Sequence, residues 1–258
     1  MSVEKIIEAL KDRLKNKNLF AVFDRDGTLV PLNPRPEAAI LEDDVKELLI
    51  NLNSSPNTKV AILSARDLKQ LRHDFKDIEL ILAGNYGLEL ILPNQEQWVQ
   101  QTAVDSRERL LEAKNEIQKL VIEDSSLILE DHRLVLCLHW HLTPSERQDK
   151  VHQNIRVLKA KFGDLLFKAL PTSYEIWPNI VWDKSNGLQQ IISQLALDLN
   201  RTLILYVGDS EADEPAFRLI NDQHGVTIRV GSDSPSTAEF HIELTNVKAL
   251  LRTLLTHL

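Results

Sequence analysis

The chain has 258 residues, 43% hydrophobic and 26% charged, with a formal net charge of −8 from 30 basic and 38 acidic side chains. This excludes disorder over most of the length, and 8 glycines with 10 prolines exclude collagen-like or low-complexity structure. The single cysteine, Cys137, excludes an internal disulfide or a cysteine zinc cluster, and an acidic chain with no lysine or arginine block is no nucleic-acid binder by composition.

The first segment, through Asn18, carries Ile6, Ile7, Leu10 and Leu14 at helical spacing among charges. It reads as neither a secretory leader nor a membrane span, and no run of about 18 apolar residues occurs anywhere. The expectation is a cytoplasmic protein with no membrane partner. Residues 19–23, LFAVF, form an apolar run too short for a helix, as expected of a strand buried on both faces. Similar runs recur at 59–64, 79–83, 202–208 and 225–231, separated by helical patterns at 37–53, 66–76, 186–199 and 212–221, with another at 245–257. Strand alternating with helix predicts an α/β fold, a Rossmann-like parallel sheet with ligands beyond the carboxyl ends of its strands.

The middle of the chain breaks that rhythm. Two helical patterns, 103–123 and 145–162, are each followed by a pair of short strands, 126–131 with 134–141 and 165–169 with 172–177. This αββαββ order predicts an inserted α+β cap, a four-stranded antiparallel sheet under two helices. Alternation puts Leu127, Leu129, Leu134, Leu136, Leu138, Trp140, Leu165, Phe167, Tyr174 and Ile176 on one face. Glu130, Cys137, His139, His141, Lys168, Glu175 and Trp177 fall on the other. The expected division is a core of residues 1–98 and 180–258 and a cap of 99–179, with polar, proline-containing linkers at 93–102 and 178–185.

The residues that can carry chemistry sit at predicted strand ends. In FDRDGTLVP, 23–31, Asp24 and Asp26 are two apart where strand gives way to loop, and Gly27 permits a tight path. Carboxylates that close repel, so a divalent cation or a shared proton is required; as a bare tetrapeptide, Asp-x-Asp-Gly is equally an ordinary turn. Ser64 ends a strand, Lys184 precedes a helix, and GDSEADE puts Asp209 at a strand tip with Asp213 one turn later. Each alone is commonplace: a strand-end serine, a solvated lysine, a helix cap.

In chain order these four segments resemble the four motifs of the haloacid dehalogenase superfamily of phosphohydrolases, and the αββαββ insert resembles the larger cap of its sugar-phosphate branch. Within that branch the chain resembles trehalose-6-phosphate phosphatases: Asp24 to Pro31, then Pro36-Glu37-Ala38, Ser64-Ala65-Arg66, Gly84-Asn85-Tyr86-Gly87, Glu175-Ile176-Trp177-Pro178 and Gly208 to Glu214 match that family's motifs. Departures fall in the cap. Glu130-Asp131-His132 stands where the family has Glu-Asp-Lys, His139-Trp140-His141 where it has His-Tyr-Arg, and Trp177 where it has arginine before the proline.

The resemblance implies Mg²⁺ held by Asp24, the Asp26 carbonyl and Asp209, with Asp24 the nucleophile and Asp26, if protonated, the general acid and then base. It implies Ser64 and Lys184 on the phosphoryl oxygens, with Asp213 orienting Lys184 or the metal's water. Arg66, Glu130, His141, Lys168 and Glu175 would contact a small sugar-phosphate substrate, with Trp177 stacked on a sugar ring. Two alternatives stand beside trehalose 6-phosphate: another sugar phosphate, such as a glycosyl-glycerate, glucosylglycerol or sucrose phosphate, and a non-catalytic sugar-phosphate sensor. A His132, His139 and His141 metal site is disfavoured because His132 falls in a hairpin turn. Nothing in the pattern fixes an oligomeric state; a monomer is compatible with it.

Overall fold

The computed structural model describes residues 3–257 other than 34, 36, 37, 77 and 232–234. Pro36 and Glu37 of the motif after the first loop therefore lie outside the described residues. Helix α1 (Val3–Leu14) buries Ile6, Ile7 and Leu10 and leads into β1 (Asn18–Phe23). After a long loop come α2 (Asp43–Asn53), β2 (Thr58–Leu63), α3 (Leu68–Asp74) and β3 (Ile81–Gly84). Helix α2 starts six residues later than its apolar pattern suggests. Glu42 has extended backbone, and Asp43 and Asp44 lie in the first turn, where the helix dipole favours acids. Two short strands then extend the sheet, β4 (Glu89–Ile91), antiparallel to β3, and β5 (Gln97–Val99). Both fall outside the predicted strands, and β5 lies inside a predicted linker; three residues give too little alternation to read.

The insert follows as α4 (Gln101–Asp105), α5 (Arg107–Glu123), β6 (Ile128–Asp131), β7 (Leu136–His139), α6 (Ser145–Lys161), β8 (Leu165–Ala169) and β9 (Ser173–Pro178). Its four strands form an antiparallel sheet in the order β6-β7-β9-β8. Leu136, Leu138, Leu165 and Ile176 pack with Leu110, Ile117, Val151, Ile155 and Phe162, so one sheet face is closed by α5 and α6. The expected single helix over 103–123 is broken at Ser106 into α4 and α5.

The chain returns through α7 (Lys184–Gln194), β10 (Thr202–Gly208), α8 (Glu214–Asp222), β11 (Val226–Val230), β12 (Phe240–Ile242) and α9 (Val247–His257). The eight-stranded sheet runs β12-β11-β10-β1-β2-β3-β4-β5, parallel from β12 to β3. Alternate residues of β1 serve two cores. Leu19, Ala21 and Phe23 join α1, α2 and α9, whereas Phe20 and Val22 join Leu188 and Ile191 of α7 and Phe217 and Ile220 of α8. That two-sided burial accounts for the unbroken apolar runs of the central strands.

The chain divides into two compact units, residues 1–98 with 182–258 and residues 99–181. At the junctions, the rings of Trp98 and Trp182, both in the larger unit, stack with centroids 6.3 Å apart and planes 22° apart. No helix among the described residues is long and apolar enough to cross a membrane.

Candidate active site

The parallel register brings the strand ends together. Phe23 lies beside Val207 on β10 and Ile62 on β2, so Asp24, Gly208 and Leu63 form the next row, with Asp209 and Ser64 just beyond it. The loop after β1 curls back through hydrogen bonds from the Leu29 and Val30 amides to the Arg25 carbonyl, both 2.9 Å. Gly27 has φ +81°, and a Cβ there would overlap Asp209 Oδ2. A side chain at 27 would thus fill the space in which the Asp209 carboxylate lies.

Asp24, Asp209 and Asp213 place carboxylate oxygens within 4.8 Å of one another. Lys184 Nζ lies 2.8 Å from Asp24 Oδ1 and donates to Asp213 Oδ1 at 2.6 Å, and Asp24, Lys184 and Asp213 are all buried. Asp213 also accepts from the Tyr206 hydroxyl (2.8 Å) and from the Asp209 and Ser210 amides (3.1 and 2.9 Å). These donors and the Lys184 charge outweigh burial and hold the Asp213 carboxyl below its ordinary range. Burial would lower the pKa of Lys184, but Asp213 and Asp24 together raise it, so the lysine is firmly cationic.

Asp24 and Asp209 differ from Asp213. Burial, with the charges of Asp213 and Asp209, raises the pKa of Asp24 well above the usual carboxylate value despite Lys184. Burial and Asp213 push Asp209 up to about 6. Three acids facing one lysine leave negative charge to be neutralised. An all-oxygen donor set with surplus negative charge, beside a backbone turn with no side chain to fill it, fits a hard dication such as Mg²⁺.

Asp26 stands apart from this cluster. Its carboxylate accepts from Arg66 Nε and Nη2 (2.9 and 3.0 Å) and from Arg25 Nη1 (2.7 Å). Burial works against the charged form, but the two guanidiniums prevail and lower its pKa. The sequence expectation of a protonated Asp26 thus meets surroundings that favour the carboxylate. Arg66, expected on the substrate, is engaged with Asp26 and with Gln70 Oε1 at 3.3 Å. Ser64 is buried, and its Oγ accepts from the Arg66 amide at 3.1 Å.

Lys184 is the first residue of α7 rather than a loop residue before it. Asp183 caps the helix by accepting from the Ser185 amide at 2.8 Å, and Asn186 Oδ1 accepts from the Asp183 amide at 3.0 Å. The helix is seated against the turn at 85–87. A Cβ on Gly187 would overlap the Tyr86 carbonyl, and Trp182 Nε1 donates to that same carbonyl at 3.0 Å. The Gly84 to Gly87 segment therefore acts as the bed for the lysine helix. Buried Glu89 fixes the bed, its Oε1 accepting from Asn85 Nδ2 (2.7 Å) and the Leu68 amide (3.0 Å).

Sequence reasoning missed Arg25, Asp74, Tyr206, Glu89 and Gly187. Arg25 is 1% exposed; it donates to Asp26, to Asp74 Oδ2 (2.7 Å) and to the Ala39 carbonyl (2.7 Å). An arginine leaving a fully apolar strand was the available signal, as was the phenol of Tyr206 inside the apolar run of TLILYVG.

On the insert's polar face, Glu130, Cys137, Glu175 and Lys168 form one row across all four strands. His139 Nε2 lies 2.6 Å from Glu130 Oε2, and His141, just past the strand end, sets its ring against His139 with centroids 5.8 Å apart. Trp177 is 1% exposed, donates through Nε1 to Glu175 Oε2 at 2.8 Å, and carries Lys168 Nζ 3.5 Å from its ring centroid. The expected open stacking platform is instead a ring already faced by an ammonium.

The trehalose-phosphatase family model matches residues 22–245. An uncharacterized glycosyl hydrolase of Mycobacterium tuberculosis is 29% identical over 92% of this chain, which spans only 18% of that protein. The trehalose 6-phosphate phosphatase RA3 of Zea mays is 25% identical over 90% of the chain and 67% of its own length. Among solved structures, the C-terminal domain of Candida albicans trehalose-6-phosphate phosphatase superposes with a TM-score of 0.80 at 19% identity, covering 99% of this chain and 97% of that one. This last likeness concerns the fold.

Proposed function

The chain belongs to the trehalose-phosphatase family, and on that premise we propose that it is a Mg²⁺-dependent phosphatase that converts trehalose 6-phosphate to trehalose and phosphate through an aspartyl-phosphate. The observation that carries this reading is the buried Asp24–Lys184–Asp213 chain with Asp209 beside it at the ends of parallel strands. Mg²⁺, held by Asp24, the Asp26 carbonyl and Asp209, would supply charge neutralisation to the phosphate dianion.

Asp24 attacks phosphorus in line with the departing sugar oxygen, whose bond to phosphorus breaks as the aspartyl bond forms. Lys184 and Ser64 hold phosphoryl oxygens, and Asp213 holds Lys184. Asp26 gives the sugar oxygen its proton, then takes one from the water that cleaves the aspartyl-phosphate. The ionised, arginine-bound Asp26 suits the second half of the cycle; the first requires it to leave the arginines and carry a proton. We propose Glu130, His141, Lys168 and Glu175 as contacts to sugar hydroxyls, with Trp177 shaping that surface, and Arg66 as a further substrate-binding residue.

A second reading, a different phosphorylated disaccharide or glycoside, is favoured by His132, His141 and Trp177, where this chain departs from family motifs. A panel of trehalose 6-phosphate, sucrose 6-phosphate, glucosyl-3-phosphoglycerate and glucose 6-phosphate decides between the two. If trehalose 6-phosphate is turned over no better than glucose 6-phosphate, the specific assignment fails. Asp24→Asn is expected to abolish Mg²⁺-dependent phosphate release; wild-type release by that variant overturns the mechanism. Absence of release from every substrate by the wild type, with binding retained, identifies a sensor instead.

A further inference from the structure

We propose that the polar face of the inserted sheet binds a transition-metal dication of the zinc class through Cys137, His139 and Glu130, with water completing the coordination. Glu130 faces Cys137 directly across the β6–β7 ladder, and His139 lies two residues beyond Cys137, on the same face of β7. The Cys137 thiol, a His139 ring nitrogen and a Glu130 carboxylate oxygen lie within 4.8 Å of one another. His139 Nε2 already approaches Glu130 Oε2 to 2.6 Å, whereas His132 Nε2, at the hairpin end, stands 3.9 Å from that oxygen and outside the three-donor group.

Metal–donor bonds of about 2.0–2.3 Å in a tetrahedron set donors roughly 3.3–3.8 Å apart. The Glu130–His139 contact must therefore open by under about 1 Å, a side-chain rotation, while the strand ladder holds the backbone positions. The protein donors are one sulfur, one imidazole nitrogen and one carboxylate oxygen. That mixture suits zinc-class ions and contrasts with the all-oxygen pocket at Asp24 and Asp209, which suits Mg²⁺. On binding, Cys137 releases its proton to solvent and coordinates as thiolate. His139 presents the Nε2 lone pair with its ring proton on Nδ1, and thiolate plus carboxylate balance the dication. The side chains of Glu130 and His139 are 20% and 17% exposed, which leaves an ion a route to the thiol.

This site requires neither Asp24 nor phosphate and stands independently of the phosphatase reading. Glu130 is shared with the proposed sugar contacts, so the measurement is made without substrate. Because Cys137 is the chain's one cysteine, its thiolate alone can give a sulfur-to-metal charge-transfer band. Titration of the full chain with Co²⁺ is expected to produce such a band, saturating at one equivalent and bleached by one equivalent of Zn²⁺. The band is expected to vanish in Cys137→Ser, to need at least tenfold more Co²⁺ in His139→Ala and Glu130→Gln, and to persist in Asp209→Asn. No band in the wild type at saturating Co²⁺ overturns the proposal. So does a band unchanged in both His139→Ala and Glu130→Gln, which reduces the site to a lone thiol.

Discussion

A buried arginine between two aspartates settles much of the chemistry at the first loop. Arg25 donates to Asp26, to Asp74 and to the Ala39 carbonyl from one guanidinium. Removing it leaves carboxylates with lost partners in a dry setting, a loss that costs about 3–5 kcal/mol when buried ion pairs are broken. Arg25→Met is therefore expected to lower the urea-unfolding free energy by that order, whereas Asp74→Asn, which keeps a polar partner, lowers it by less. A loss below about 1 kcal/mol for Arg25→Met would place the pair among weak surface bridges. The sequence made Asp24, Asp209 and Asp213 legible because spacing at a strand tip is local. It left unreadable that Asp26 is held by arginines: Arg66 comes from 40 positions away, and the adjacent Arg25 gives no local sign of where its guanidinium turns.

At the scale of elements, α7 exists to place one ammonium. Its N-cap fixes where the helix begins, and the contact of Gly187 with the 85–87 turn fixes how close it comes. Gly187→Ala must push the helix from the Tyr86 carbonyl or distort the turn, and Lys184, three residues away, moves with it. The expected outcome is a fall of at least tenfold in kcat with little change in KM and with helical circular dichroism retained. Unchanged kcat would show that the turn yields without moving the lysine. Strands β1, β2 and β10 were readable because each carries an unbroken apolar run of four or more residues, and β11 because Val226, Ile228 and Val230 recur at alternate positions. Strands β4, β5 and β12 were not, since three residues carry no period, whether at the sheet edges as in β5 and β12 or inside it as in β4. Lys184 was read as preceding its helix because Asp183, the cap, resembles any loop aspartate until its acceptor role is seen.

For the whole molecule, the charge of −8 has a focus at the strand tips. Asp209 titrates at about 6 in the fold, against 3.8 ordinarily. Between those values the folded chain holds more protons than the unfolded one. The metal-free protein therefore gains stability from this group at low pH and loses it as pH rises through about 6. At the proposed site Mg²⁺ would bind the ionised form, so its stabilising effect would run the other way. The rise in Tm on adding Mg²⁺ is expected to be large near about pH 8 and small near about pH 5. An Mg²⁺ effect equal at both would mean that Asp209 is not part of the metal site.

The tryptophan stack at the junctions has a consequence for how such a chain can diversify. Trp98 and Trp182 clasp the place where the polypeptide leaves the parallel-sheet unit and the place where it comes back. The larger unit thus joins the two ends of the insert, residues 99–181, through one aromatic contact of its own. Substitutions, or even exchange of the insert for another, need not disturb the strand order that assembles the aspartates. Changes such as those at His132, His141 and Trp177 fall within residues 99–181, whereas Asp24, Lys184, Asp209 and Asp213 all belong to the other unit, so the one set can change while the other stays intact.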